Sequence, residues 1–394
     1  MQIEFSAEQK ALQQEIKHYL NQLFTPELTA ELAAAGAEEG GGPEFRKALR
    51  KLGEDGYISM SWPKELGGNE ASAIDQYIFT EEIIRTGFPY PFLTTEACGP
   101  VMAQHASELV RETVVKGILK GEVVVAIGYS EPGAGTDLAA LQTKAVRDGD
   151  EWVINGQKIW TSLAEYSDYV WLAARTDPDA PKHKGITMFV VPTDAVGFSM
   201  SPIWTLGSVR TNATFYENIR LKDEWRVGDV NQGWKLITGQ LNRERLSLVT
   251  HGQAEELYLR VARWAASTET ANGEMIIDRA WVRSNLAKVR VGLEALKLVC
   301  WKQAWAMDKG TLQMADASVA KVYGTEFFLE NYRLLMEIVG QASTLRRDEH
   351  GDALMGALEH RYRTGSILTF GGGTNEVQRE IIAGAGLWMP RGRL

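Results

Sequence analysis

Four short stretches of this chain hold the residue types and spacings that chemistry requires. The first is Tyr129-Ser130-Glu131-Pro132-Gly133-Ala134-Gly135-Thr136-Asp137, which sets hydroxyl groups among glycines. The second, Ile154-Asn155-Gly156-Gln157-Lys158-Ile159-Trp160-Thr161-Ser162, adds an indole between further hydroxyls. Glycines let main chain approach a ligand closely, hydroxyls supply hydrogen bonds, and an indole offers an apolar wall. The third stretch, Leu241-Asn242-Arg243-Glu244-Arg245-Leu246, carries a carboxylate able to act as a general base. The fourth, Gly371-Gly372-Gly373-Thr374 followed by Asn375-Glu376-Val377-Gln378-Arg379, has main chain where a site would ordinarily have side chains. Read singly, each has a plainer meaning: a glycine-rich loop, a buried tryptophan, or a solvated helical glutamate paired with a basic neighbour. Gly133-Ala134-Gly135 lacks the strand-to-helix setting of a dinucleotide fingerprint.

Taken in register, the first two stretches closely resemble the flavin-side segments of acyl-CoA dehydrogenases, and the resemblance runs over essentially the whole chain. It implies a mainly α fold with a central β domain: an N-terminal helical domain, a middle β-barrel or sandwich, and a C-terminal four-helix bundle. It implies FAD as cofactor, α,β-dehydrogenation of an acyl-CoA thioester, and electron-transfer flavoprotein as electron acceptor. A flavin needs donors at its polar edge and at N5 and an aromatic wall against its face. On this resemblance Tyr129 and Ser130 serve the pyrimidine edge, Trp160 the wall and Ser162 the N5 region. Thr161 and Thr374 join the cofactor site, and Thr136 lies beside both flavin and acyl-CoA.

The resemblance also has gaps. The family's usual C-terminal segment, Tyr-Glu-Gly-Thr-x-x-x-Gln-Arg, supplies the base from its Glu, and alignment on Gly373-Thr374 and Gln378-Arg379 puts Gly372 there. Glu244 resembles the alternative base position of isovaleryl-CoA and some long-chain dehydrogenases, with Arg245 beside it orienting the site and substrate. Glu376 falls in the helix start beyond the base position and reads as a first-turn carboxylate near a helix N-terminus. Gly371 and Gly372 remove side-chain volume at the acyl group, which suits a bulky substrate such as a steroid side chain. Two segments that relatives donate to a neighbour's FAD, Arg-x-x-Phe-Gly and Gln-x-x-Gly-Gly-x-Gly, are degraded here to Glu269-Thr270-Ala271-Asn272-Gly273-Glu274 and Glu337-Ile338-Val339-Gly340-Gln341-Ala342-Ser343. Carboxylates facing a diphosphate are unfavourable. The combination resembles the base-bearing subunit of bacterial heteromeric acyl-CoA dehydrogenases of sterol side-chain catabolism, with a second, homologous subunit completing an α2β2 assembly. Alternatives are a homotetramer acting on branched, medium or long chains, a non-catalytic scaffold subunit, or a nitroalkane oxidase or flavin monooxygenase on the same fold.

The elements that must position these residues follow from periodicity. Ser6 with Gln9 has capping-box spacing, and Leu12, Ile16, Leu20 and Leu23 follow at helical intervals. Pro43 opens a second helix carrying Phe45, Leu49 and Leu52; a third, after Ser72, carries Ile74, Tyr77, Ile78 and Ile84. Trp62 to Gly68 reads as a turn. Short β-rich runs then appear at 123–127, 152–154, 169–172, 186–191 and 214–216. The helical period returns from Gly233, with Trp234, Leu236, Ile237 and Leu241, then Leu286, Val289, Val291 and Leu293, then Leu334, Leu335 and Ile338. The expected domains are 1–122, 123–232 and 233–394.

Composition bounds the remaining choices. The 394 residues are 44% hydrophobic and 24% charged, which describes a globular chain rather than a disordered one. A net charge of -9 without basic runs argues against nucleic acid as a partner. The six His, among them His105, His183, His251 and His360, form no i, i+4 pair, so no metal site is expected. Cys98 and Cys300 have no paired spacing and fit a reducing compartment. No apolar run reaches the ~18 residues of a membrane span, and the first residues carry no targeting pattern, so the expected location is cytoplasmic.

Overall fold

The computed structural model describes residues 4–35, 40–207, 209–247, 249–346 and 353–390, with the backbone alone for 242–247, 353 and 355. The chain packs as two compact units, one of Met1–Leu20, Ala73–Phe88 and Arg245–Leu394, the other of Asn21–Ser72 and Pro89–Glu244. These units cut across the three regions read from periodicity, because the first and third amphipathic helices pack with the C-terminal helices while the second joins the strands.

The early helices are α1 (Ala7–Leu23), α2 (Pro26–Ala35), α3 (Pro43–Glu54), α4 (Ala73–Arg85) and α5 (Gly99–His105). After them come α6 (Glu108–Val110) and α7 (Lys116–Leu119), joined through a wider turn at Arg111–Val115. The start of α1 is set by a reciprocal cap: Ser6 N–H donates to Gln9 Oε1 at 2.9 Å and Gln9 N–H donates to Ser6 Oγ at 3.2 Å. Pro43 stands in the first turn of α3, where its missing N–H costs nothing, and Phe45, Leu49 and Leu52 are buried as the spacing requires. In α4 the buried face is Ile78, Phe79 and Ile83 together with Glu81 and Glu82, so Ile74, Tyr77 and Ile84 lie at its margin.

The strands are β1 (Val125–Gly128), β2 (Lys144–Asp148), β3 (Glu151–Lys158), β4 (Tyr169–Arg175), β5 (Ile186–Pro192), β6 (Phe198–Trp204), β7 (Arg210–Lys222) and β8 (Arg226–Val227). They form one eight-stranded sheet in the order β6-β7-β3-β2-β4-β5-β8, with β1 also pairing β4. Pairing is antiparallel except β1 with β4 and a single parallel pair, Lys144 with Arg175, that joins β2 to β4. Strand β4 is buried on both faces: Val170, Leu172 and Ala174 enter one core, Trp171 and Ala173 the other. A bulge between Ile154 and Gly156 bends β3 just before Lys158 and Trp160. Gly156, at φ 152°, is required there, since a Cβ would stand 2.6 Å from Thr143 Oγ1.

The later helices are α8 (Gly233–Ser247), α9 (Gly252–Ser267), α10 (Ala280–Asp308), α11 (Met314–Val339), α12 (Ala353–Gly365) and α13 (Asn375–Ile381). Leu236 and Ile237 of α8 are buried in the core that holds Trp171 and Tyr129. The four helices α9 to α12 share a second core around Leu257, Val261, Leu286, Leu293, Leu335 and Leu358. Val291 of α10, expected inside, is 70% exposed, because at 3.6 residues per turn it points away from the side on which Val289 and Leu293 are buried. Among the described residues no helix is long and apolar enough to cross a membrane, and no cluster of His, Cys, Asp and Glu could hold a metal ion.

Candidate active site

The glycine-rich loop after β1 is anchored by a cation the sequence does not advertise. Lys158, wholly buried at the end of β3, donates from Nζ to Glu131 Oε1 at 2.8 Å and to the Tyr129 carbonyl at 3.2 Å. The Glu131 carboxylate also accepts from the Gln142 and Thr143 amides at 2.6 and 2.8 Å. Burial draws the Lys158 ammonium down to about 8 against the opposing pull of Glu131. Burial by itself would raise the Glu131 carboxyl, but Lys158 outweighs it and holds the group below its ordinary range. Both groups are charged at neutral pH, as a buried ion pair with satisfied lone pairs must be. Farther along, Asp137 pairs with Lys182, and Arg175 donates to the Ala139 and Leu141 carbonyls.

The loop and the end of β3 lie side by side, since Ile159 N–H donates to the Ser130 carbonyl at 2.9 Å. Ser130 and Thr136 are exposed. Trp160 is 55% exposed and sits at φ 62°, a conformation a bulky residue adopts only where its surroundings hold it. Ser162 is half-buried, with its hydroxyl 3.3 Å from that of Thr211 on β7. Thr161 lies inside the sheet: its amide donates to the Asn212 carbonyl, its carbonyl accepts from Asn212 Nδ2, and its hydroxyl meets Thr214 at 3.2 Å. Tyr129 is also turned inward, its hydroxyl accepting from Trp171 Nε1 at 2.8 Å and donating to Gln240 Oε1 at 3.0 Å. The structure thus places three of the expected flavin contacts, Ser130, Trp160 and Ser162, at the surface of one locale. Tyr129 and Thr161 brace them from within, which leaves a flavin-edge role for the Tyr129 hydroxyl without support. A large indole face held open in a strained conformation, flanked by hydroxyls, fits the edge and wall of an isoalloxazine.

The C-terminal glycine stretch is built differently. Lys321 of α11, wholly buried, donates from Nζ to the Thr369 carbonyl at 3.1 Å, to Asn375 Oδ1 at 3.0 Å and to the Gly373 carbonyl. Ser318 Oγ donates to Gln378 Oε1 at 2.8 Å, and Asn375 Nδ2 donates to Thr325 Oγ1 at 3.0 Å. One face of α11 therefore clamps residues 369–378. Gly372 and Gly373 have φ of 66° and 96°. Thr374 caps α13, its hydroxyl accepting from the Val377 amide at 3.3 Å, so that hydroxyl is engaged in the helix start. Glu376 occupies the first turn of α13, where its own backbone N–H and the Thr374 hydroxyl hold its carboxyl below the usual range.

Glu244 and Arg245 fall in the last turn of α8, and their side chains lie outside the described residues. The segment expected to have lost a diphosphate contact is an exposed turn, closed by pairing of Glu269 with Met275 and by Thr270 N–H donating to the Glu274 carbonyl at 2.8 Å. Glu274 lies 3.4 Å from Arg279. In the second such segment, Glu337 pairs with Arg333 and accepts from Asn285 Nδ2 at 3.1 Å.

The buried Lys158, Lys321 and Gln240 were not legible beforehand. Their residue types point to the surface, and of the three only Lys321 stands between two apolar side chains, Ala320 and Val322.

Three family models match this chain: acyl-CoA dehydrogenase N-terminal domain over 6–122, middle domain over 126–223 and C-terminal domain over 231–387. Acyl-CoA dehydrogenase FadE26 of Mycobacterium tuberculosis is 46% identical over 99% of each chain. A chain of the crystal structure of the ChsE4-ChsE5 complex from Mycobacterium tuberculosis is 45% identical and superposes with a TM-score of 0.92, covering 100% of both chains. A chain of the Tcur3481-Tcur3483 steroid ACAD is 44% identical, with a TM-score of 0.92 and the same full coverage.

Proposed function

This chain belongs to the acyl-CoA dehydrogenase family, and from that premise we propose that it takes the α-proton from a bulky acyl-CoA thioester through Glu244. The observation that carries the choice of base is the backbone at Gly372, where φ is 66°. A left-handed conformation strains any residue with a Cβ, so this loop is shaped for glycine rather than for a side-chain acid. The carboxylate that the resemblance offers instead is Glu244, with Arg245 orienting it. Bound FAD supplies the acceptor for the β-hydride at flavin N5. Ser130, Trp160 and Ser162 would hold the flavin ring, Tyr129 and Thr161 would position those contacts, and Thr136 and Thr374 would add to the binding surface.

A carboxylate with an ordinary pKa of about 4.3 is a weak base, and an acyl chain that excludes water raises it toward working pH. Gly371 and Gly372 present main chain in place of bulk, which suits a branched or ring-bearing acyl group. The neighbouring structure described as a steroid ACAD supports the same substrate class. A thioester series mixed anaerobically with the flavin-loaded protein tests this. Bleaching of the flavin band by steroid-bearing thioesters is expected; bleaching only by short straight chains contradicts the substrate class, and bleaching by none contradicts the activity.

We further propose that a second, homologous subunit supplies the flavin diphosphate contacts, in an α2β2 assembly that passes electrons to electron-transfer flavoprotein. Its support is the acidic turn at Glu269–Glu274 and the similarity to chains of two structures named for pairs of proteins. Tight, stoichiometric FAD in a homo-oligomer of this chain alone overturns it. Cys98 and Cys300 are buried thiols, in keeping with a cytoplasmic, reducing location.

A further inference from the structure

Gln240 is an anomaly in α8. The helix presents Leu236, Ile237 and Leu241 to an apolar core, yet Gln240, among them, is wholly buried. A buried amide is unfavourable unless hydrogen-bonded, so it persists where its bond is specific. Its Oε1 accepts from the Tyr129 hydroxyl at 3.0 Å, and that hydroxyl accepts from Trp171 Nε1 at 2.8 Å. The indole is wholly buried in β4, a strand packed on both faces, and Tyr129 is 7% exposed. A rigid strand is thus connected through two hydrogen bonds to one position of α8. Apolar contacts alone tolerate small rotations and slips of a helix, whereas a single buried polar contact fixes its register. Position 244 follows 240 by four residues, one helical turn along the same helix. Tyr129 is also tied to the flavin-side locale, because its carbonyl accepts from Lys158 Nζ at 3.2 Å.

We propose that Trp171, Tyr129 and Gln240 are positioning residues that set the axial and rotational register of the base-bearing turn of α8 relative to the loop of Ser130 and the end of β3. This rests on Glu244 being the base. Tyr129 was singled out by sequence as a flavin contact; its hydroxyl instead acts through Gln240, without touching the reacting atoms.

The test uses the flavin-loaded protein, with its partner subunit where loading requires one, and cholanoyl-CoA with and without deuterium at the α-carbon. Tyr129→Phe removes one oxygen. Small misplacement of a reacting group lowers rates by roughly ten- to a hundredfold, so kcat falls by about that factor. KM and the visible flavin spectrum stay unchanged, and the α-deuterium isotope effect rises as proton removal becomes slower. Gln240→Met gives the same pattern from the other end, and the double variant is no worse than either single one. This keeps the proposal testable if Tyr129→Phe folds poorly. An unchanged kcat and isotope effect in a folded variant overturns the proposal, as does a shifted flavin spectrum with the isotope effect unchanged. Loss of rate only in proportion to loss of folded protein also counts against it. Glu244→Gln separates the two claims: if it stays active, the proposed base falls; if it is inactive while Tyr129→Phe is silent, only the positioning claim falls.

Discussion

Lys158 and Lys321 are both wholly buried and each holds a glycine loop, but they hold it by different parts. Lys158 grips the root of the 131–137 loop through the Glu131 side chain, and at the far end Asp137 makes an exposed pair with Lys182. Between them, a Cβ placed on Gly133 or Gly135 would meet nothing within 4 Å. Lys321 instead binds the main-chain oxygens of Thr369, just before the 371–373 stretch, and of Gly373, its last residue, fixing its peptides directly. The first arrangement leaves a tip able to adjust to a ligand. The second presents peptide groups at set angles, as a site that works through main chain requires.

The largest expected effect comes from Lys158→Met. It strands a buried carboxylate and lowers unfolding free energy by about 3 to 5 kcal/mol in denaturant titrations. Adding Glu131→Gln recovers much of that loss; no recovery would mean that Lys158 holds the loop chiefly through the Tyr129 carbonyl. Next comes acid. The unit that carries the second loop contains Glu255, which accepts from Arg85 at 2.7 Å and pairs with Lys297. Burial alone would raise its carboxyl, but the hydrogen bonds from Lys297 and Arg85 hold it at about 2, against 4.5 in the unfolded chain. Its contribution is therefore whole above about pH 4.5 and is lost as pH falls toward 2, a change on the order of 2 to 3 kcal/mol. Glu255→Gln flattens that part of the pH–stability curve.

Lys321→Met leaves buried acceptors unmatched and costs about 1 to 3 kcal/mol. Hydrogen exchange then speeds at residues 371–375 and stays unchanged at 131–137; equal acceleration in both loops would erase the distinction. The smallest effects lie in the glycines themselves. Gly372→Ala costs about 1 to 2 kcal/mol because of its left-handed backbone, whereas Gly133→Ala stays within about 0.5 kcal/mol by thermal unfolding. The reverse order would contradict the contrast.

Much of the scaffold was legible because local chemistry and tertiary structure agree. The Ser6–Gln9 cap, Pro43 in its first turn, the apolar run of β4 and the β-branched run of β5 are such cases. Strand β2 was hidden because Lys144, Val146, Arg147 and Asp148 face solvent. Strand β6 was hidden by Pro202 and its exposed residues, features of an edge. At the site, the outward placement of Ser130, Trp160 and Ser162 could be expected only through the family resemblance of their two stretches. The inward turn of Tyr129 could not, since nothing local to a tyrosine beside a glycine loop announces an acceptor 111 positions away. Nor could the two lysines, whose residue type belongs by default at the surface.

The account stands on Glu244 as the base, and one measurement addresses it most directly. In the flavin-loaded protein with cholanoyl-CoA, anaerobic stopped-flow mixing of Glu244→Gln should show flavin spectral perturbation by the bound thioester with bleaching slowed by several orders of magnitude. Bleaching at the wild-type rate would show that another group removes the proton.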